Sequence, residues 1–245
     1  MNGDDALSWE QRDGYLFATL SRPRVRNAIN SEVVEQIHAL CDEVEQRPQV
    51  LVFTGAGGTF AAGADIRELR DRRPEDALRG INSRAFDRIA RLPMPTLAIV
   101  DGPAIGGGAE LAYAFDLRIA TPKTFFANPE PGLGVIAAAG AGWRLRELVG
   151  PSVARQVLLA GRRLTADDSL QFGLVQEIVE PDEAEAAAAR IVTRMASSSP
   201  VALRLTKLVL RAPDGAHPVI DDTAQAVLFG SDDTVRRMTE FLEKR

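Results

Sequence analysis

A single cysteine, Cys41, excludes any disulfide framework within the chain. It lies in the apolar spacing Val33, Ile37, Leu40, Val44, which predicts a core residue in a reducing compartment. Histidine is nearly as scarce. His38 falls on the polar side of that helical pattern and His217 precedes Pro218, so no metal-ligand spacing is present. Lysine supplies only three of the 29 basic residues, a compositional bias, and no long basic block offsets the 34 acidic residues. A net charge of -5 therefore points away from nucleic acid as a partner. No apolar window approaches the length needed to cross a bilayer, and the opening "MNGDDALSWEQRDG" is acidic without an apolar run. Neither a membrane span nor a secretory leader is expected, and the cytoplasm is the expected location.

What is present is enough apolar material for a sizeable core: 245 residues, 45% hydrophobic, fit one domain plus an appendage. "YLFATL" from Tyr15, "VLVFTG" from Val50 and "TLAIVDG" from Thr96 read as strands. The last two are nearly continuous apolar runs ending in glycine, as in a buried parallel sheet. "SEVVEQIHALCDEVEQ" reads as a helix with Ser31 as N-cap, ending before Pro48. Shorter strands follow at "LRIAT" and "TFFAN", after a helix that starts near Gly107. The alternation predicts an α/β fold. Beyond Val149 the chain turns helical, with one more strand at "LVQEIV". Its last helix, "SDDTVRRMTEFLEKR", opens on a cap and acidic first turn and closes on basic residues. Such a tail is too small for a core of its own and must pack on the sheet or on another subunit. Residues 66–84 are strongly charged and are broken by Pro74 and Gly80. They read as a solvated helix face, or as a mobile wall whose arginines meet a charged ligand.

"GPAIGGGAELA", residues 102–112, is the most informative stretch. A phosphate loop would end in Gly-Lys-Ser/Thr, but Ala109 and Glu110 follow Gly108; the dinucleotide fingerprint fails at Leu111, where its third glycine belongs. A carboxylate there would also repel phosphate from the same amides. The glycines serve either to let helices pack tightly or to present bare N–H groups to an oxygen that becomes negative during a reaction. A second glycine-containing turn, "GAGGTFAAGADI", follows the strand at 50–54 and gives Ala64 an N–H at the start of another helix. Two such turns on one sheet edge would supply two donors to a thioester oxygen.

Four segments, "SRPRVRNAIN", "FAAGADI", "VDGPAIGGGAELAYAFDLRIAT" and "FANPEPGLGV", together with "AGRRLTADDSLQFGLVQEIV", closely resemble the crotonase superfamily, and within it the enoyl-CoA hydratases. The resemblance covers nearly the whole chain. It implies a spiral of ββα units over residues 1–194, a C-terminal helical trimerisation region over 195–245, and commonly a hexamer of two trimers. It also implies acyl-CoA thioester substrates and no metal or redox cofactor, coenzyme A being part of the substrate. Carried onto this chain, the oxyanion donors fall on the backbone N–H groups of Ala64 and Gly107. The two glutamates that flank the catalytic water fall on Glu110 and Glu130. The resemblance assigns Glu110 to activating water and Glu130 to delivering the α-proton, and it places the coenzyme along Arg22, Arg24, Ala28, Ala62, Asp65 and Ile66. Lys244 and Arg245 could meet the phosphates of a neighbouring subunit's coenzyme, or form only a frayed helix end.

The chain departs from this pattern after Glu130. A proline and a Gly-Gly-Thr-Gln step give way to "GVIAAAGAGWRLREL", so the extra alanines and Trp143 are expected to alter the helix start behind the acyl pocket. A Δ3,Δ2-enoyl-CoA isomerase, which can work with the Pro-Glu glutamate alone, stands as the alternative enzyme. A silent acyl-CoA-binding scaffold stands as the alternative of another class.

Overall fold

The computed structural model describes residues 6–244. Leu7–Arg12 (β1) and Tyr15–Leu20 (β2) form an antiparallel hairpin with Leu7 opposite Leu20 and Arg12 opposite Tyr15. β1 is an additional strand that its sequence, "LSWEQR", did not announce: it lies at the sheet edge, where only Leu7 is buried. The chain then turns through left-handed Arg26 and Asn27. Asn27 is fully buried and ties the turn down, accepting from Arg22 N (2.8 Å) and donating to the carbonyls of Ala56 (2.8 Å) and Thr59 (2.6 Å). Ser31–Gln46 (α1) follows. Its cap is Asn30, whose side chain accepts from Val33 N, so the expected Ser31 cap moves back one residue: in the extended conformation of Asn30 the amide oxygen reaches the third helical N–H. Cys41 is fully buried on the inner face of α1, as its spacing predicts.

Val50–Gly55 (β3) leads through a loop to Ile66–Asp71 (α2), Pro74–Arg79 (α3) and Ile81–Arg91 (α4), separated at Pro74 and at left-handed Gly80. Thr96–Val100 (β4), Pro103–Ile105 (β5) and Gly107–Tyr113 (α5) come next, then Leu117–Ala120 (β6) and Phe125–Ala127 (β7). Arg146–Ala160 (α6), Leu164–Thr165 (β8), Ala166–Gln171 (α7), Glu177–Ile178 (β9) and Ala184–Ala196 (α8) complete the body.

Two sheets result. The larger runs β1-β2-β3-β4-β6-β9, parallel from β2 onward; the smaller runs β5-β7-β8, extended by an isolated bridge between Ala61 and Ala104. Successive turns place one strand in each sheet, β4 with β5 and β6 with β7, and this is the spiral of ββα units. Phe53, Phe60 and Phe115 pack together in the core inside the spiral, with ring centroids 5.8 and 5.4 Å from Phe53. On the outer face of the large sheet, Ala187, Ala188, Ile191 and Val192 of α8 cover Phe17, Val52, Leu97 and Ile119. Both faces are dry, which is why β3 and β4 read as continuous apolar runs.

Pro200–Leu210 (α9), Val219–Phe229 (α10) and Asp232–Glu243 (α11) form the tail. Only Lys207 and Ala224 of these helices are buried, while Val201, Leu208, Val227, Phe229, Val235 and Phe241 stay exposed. Lys207 is the anchor: its Nζ lies 2.7 Å from Asp116 Oδ2 and donates to Met94 O at 2.9 Å. Among the described residues no helix is long and apolar enough to cross a membrane.

Candidate active site

Backbone packs directly on backbone where the loop after β3 meets the turn before α5. A Cβ on Gly108 would lie 2.1 Å from Ala61 O, so any other residue would push the two loops apart. Gly106 takes φ 54 and ψ -124, a conformation open to glycine, and donates to Ala127 O at 2.7 Å. Ala64 is fixed on both sides, because Ile29 N donates to Gly63 O (2.8 Å) and Asp65 N to Ile29 O (2.9 Å). Ala64 N and Gly107 N are thereby brought together: a Cβ on Gly107 would sit 3.4 Å from Ala64 N. Neither N–H has a backbone acceptor among the described residues. Two unspent donors this close together suit an oxygen that gains negative charge.

Glu110, one helical turn into α5, is 3% exposed. Its Oε1 accepts from Ala139 N at 2.7 Å and Ala141 N at 3.1 Å. Burial pushes its carboxyl up to about 7, the charge of Glu130 adds to the rise, and the amides of residues 139–141 oppose it. Glu130 reaches the same place from the turn that follows β7. Asn128 Nδ2 lies 3.4 Å from its Oε1, and Asn128 Oδ1 in turn accepts from the Tyr113 hydroxyl at 3.1 Å. Its Oε2 is buried and has no hydrogen-bond partner among the described residues. Burial raises this carboxyl as well. A buried oxygen without a partner is costly for a carboxylate and favours the protonated acid. The pair thus comprises two carboxyls whose surroundings both favour the protonated form more than water does, Glu110 up to about 7.

The segment 134–145 is where the chain departs from the pattern it otherwise resembles. It supplies the amides that clamp Glu110 and then enters α6 through a π-helical turn, Ala141–Leu145. Arg144 is buried beneath it, donating to Ala139 O (3.2 Å) and to Asp87 Oδ1 (3.1 Å). Trp143 is half-exposed, with the Arg144 guanidinium 5.0 Å from its ring centroid.

The six residues assigned to the coenzyme lie on two strips of chain zipped together, where Ala62 N donates to Arg26 O at 3.0 Å beside the bonds of Ile29. Ile66 and Arg24 are exposed; Ala28 and Ala62 are half-buried. Two of the six already have local partners: Asp65 caps α2 by accepting from Arg67 N, and the Arg22 guanidinium donates to Ala28 O. Lys244 ends α11, and Arg245 lies outside the described residues. Sequence reasoning missed the amides of Ala139 and Ala141, the Tyr113–Asn128 link and Arg144. Only Asn128, directly before Pro-Glu, carried a local signal.

The sequence matches the family model described as enoyl-CoA hydratase/isomerase over residues 10–245. It is 36% identical to a short-chain-enoyl-CoA hydratase of Clostridium acetobutylicum, over 96% of this chain and 94% of that protein. It is 35% identical to a crotonyl-CoA hydratase of Syntrophomonas wolfei, over 98% and 95%. The fold superposes on a crystal structure described as enoyl-CoA hydratase subunit I of Geobacillus kaustophilus with a TM-score of 0.92 and 34% identity, covering 98% of this chain and 96% of that one.

Proposed function

The chain belongs to the enoyl-CoA hydratase/isomerase family, and we propose that within it this protein adds water across the 2,3 double bond of a 2-enoyl-CoA thioester. In this reading the thioester oxygen sits between Ala64 N–H and Gly107 N–H. Water attacks C3 while Glu110 takes one of its protons, the C2–C3 π electrons move onto the thioester oxygen as an enolate, and Glu130 protonates C2 as the carbonyl re-forms. Glu110 ends protonated and Glu130 ionised, and proton exchange with water resets the pair. Every proton moves between carboxyl, water and carbon, so coenzyme A enters only as part of the substrate and no further cofactor takes part. The observation that carries the reading is the pair of raised carboxyls, Glu110 buried and Glu130 half-buried with its Oε2 shut off from solvent, beside two unspent amides.

The relatives' names favour a short acyl chain, crotonyl-CoA among the candidates. Glu130 alone, with its unpartnered Oε2, would suffice for a Δ3,Δ2-enoyl-CoA isomerase. A second carboxylate kept buried and clamped by two amides favours hydration. We assign the catalytic body to residues 1–194 and residues 195–245 to assembly as a homotrimer or homohexamer in the cytoplasm; the assembly is supported by Leu208, Val227 and Phe229 of α9 and α10, which stay exposed among the described residues. A series of 2-enoyl-CoA thioesters of graded length, followed by loss of the conjugated thioester absorbance, tests the activity. No loss with any member overturns it.

A further inference from the structure

Asn82, at the second position of α4, is 8% exposed and belongs to no motif in the chain. Its Oδ1 accepts from Arg72 Nη2 at 3.0 Å. A guanidinium can only donate, so this bond fixes the amide's orientation: the oxygen faces Arg72 and the NH2 faces away from it. Nδ2 has no acceptor among the described residues and lies 3.8 Å from the point that a Cβ on Gly107 would occupy. Ala64 N lies 3.4 Å from that same point. A third N–H donor therefore lies close to the two backbone amides.

We propose that Asn82 is a further substrate-contacting residue, its Nδ2 donating to the thioester oxygen as that oxygen becomes an enolate. The proposal rests on the thioester reading of the site and deepens it. If Asn82 served only to tie the α2–α3 segment to α4, an acceptor for Arg72 would be enough, and nothing would require the NH2 to open toward the Ala64 and Gly107 amides. Arg72 also does more than orient the amide. A cation bonded to the amide oxygen draws charge from the nitrogen and makes its N–H a better donor, an effect that grows as negative charge builds up opposite it. The interaction is stronger in the transition state than with the bound substrate, and so it acts on kcat more than on KM.

Asn82→Asp provides the test, because aspartate keeps the tie to Arg72 and replaces the N–H by a carboxylate oxygen. Two readouts are taken on the full-length protein: kcat and KM for 2-enoyl-CoA hydration, and the fraction of bound acetoacetyl-CoA held as enolate at fixed pH, read from its absorbance. Acetoacetyl-CoA is chosen because its β-dicarbonyl ionises to an enolate without any water addition. We expect kcat to fall by at least ~10-fold with KM little changed, and the bound enolate fraction to drop with it; loss of a full oxyanion donor costs more. Asn82→Leu should give a smaller loss of both, since it removes the donor without adding a charge. If Asn82→Asp holds the enolate as wild type does, whether or not kcat falls, the donor assignment is overturned and the residue is a structural tie. If wild-type protein hydrates no enoyl-CoA but holds the enolate, the hydratase reading fails while the Asn82 comparison still decides. If wild type holds no enolate, both fall.

Discussion

In a Glu110→Gln variant the side-chain oxygen can still accept the Ala139 and Ala141 amides that Oε1 takes at 2.7 and 3.1 Å, so the segment behind the site keeps its anchor while the proton acceptor is gone. Hydration of crotonyl-CoA is expected to fall by about two to four orders of magnitude, the usual contribution of a positioned general base. Stability should move the other way. In the unfolded chain Glu110 gives up its proton near 4.5, in the folded protein near 7. Between those values the folded state binds more protons than the unfolded one, so the carboxyl's contribution is full below the lower value and is lost as pH rises through the upper one. At 1.36 kcal/mol per pKa unit, the native protein gives up about 3 kcal/mol across that window, and glutamine, which does not titrate, gives up nothing. Urea unfolding at equal protomer concentration should therefore show the variant gaining on wild type from about pH 5 to about pH 8. A stability difference that does not change with pH, or that turns against the variant at the higher pH, would refute the assignment of Glu110 as a carboxyl raised by burial. Turnover equal to wild type would refute its role as base.

Glu130→Gln should cripple both hydration and any 3-enoyl to 2-enoyl isomerisation, whereas Glu110→Gln should spare the second; product analysis with both substrates separates them, and hydration that survives Glu110→Gln while Glu130→Gln loses isomerisation would install the isomerase. Gly107→Val puts a side chain whose Cβ is 3.4 Å from Ala64 N into the space meant for the thioester oxygen, and should raise the barrier by on the order of 3 kcal/mol. Near-native turnover by that variant, folded by circular dichroism, would remove the oxyanion assignment. Light scattering at micromolar concentration should report a trimer or hexamer, since Leu208, Val227 and Phe229 stay exposed among the described residues. A compact monomer would contradict this.

Legibility in the sequence followed from how many neighbours a residue's role requires. β2, β3 and β4 could be read because both faces of the large sheet are covered, which makes each strand continuously apolar. β1 and the three-residue β5 could not, because pairing with β2 and β7, and not their own side chains, makes them strands. The glutamates were visible through their spacing from glycine and proline, but their protonation was not. Glu110 is held by amides 29 and 31 positions further along, and a backbone N–H looks the same under every side chain. Asn82 gave no signal at all, since its orientation depends on Arg72 and its position on Gly107.

The glycine cluster shows why a residue-by-residue choice between packing and chemistry fails here. Gly108 is a packing glycine by geometry, with Ala61 O 2.1 Å from where its Cβ would be, and Gly107 beside it has its N–H unspent and is, on the proposed reading, a site glycine. The two roles depend on each other. Ala61 also accepts from Ile105 N at 3.0 Å and bridges Ala104, and it is this contact of loop on loop that brings Ala64, three residues on, alongside Gly107. A side chain at position 108 would lift the loop and carry the Ala64 amide away from its partner with no catalytic group altered. Donors fixed in this way need not reorganise when charge appears on the substrate, and that is where oxyanion stabilisation gains its magnitude. On the proposed reading the tight packing is thus the physical source of the chemistry, and the bare backbone before Glu110 serves both ends at once.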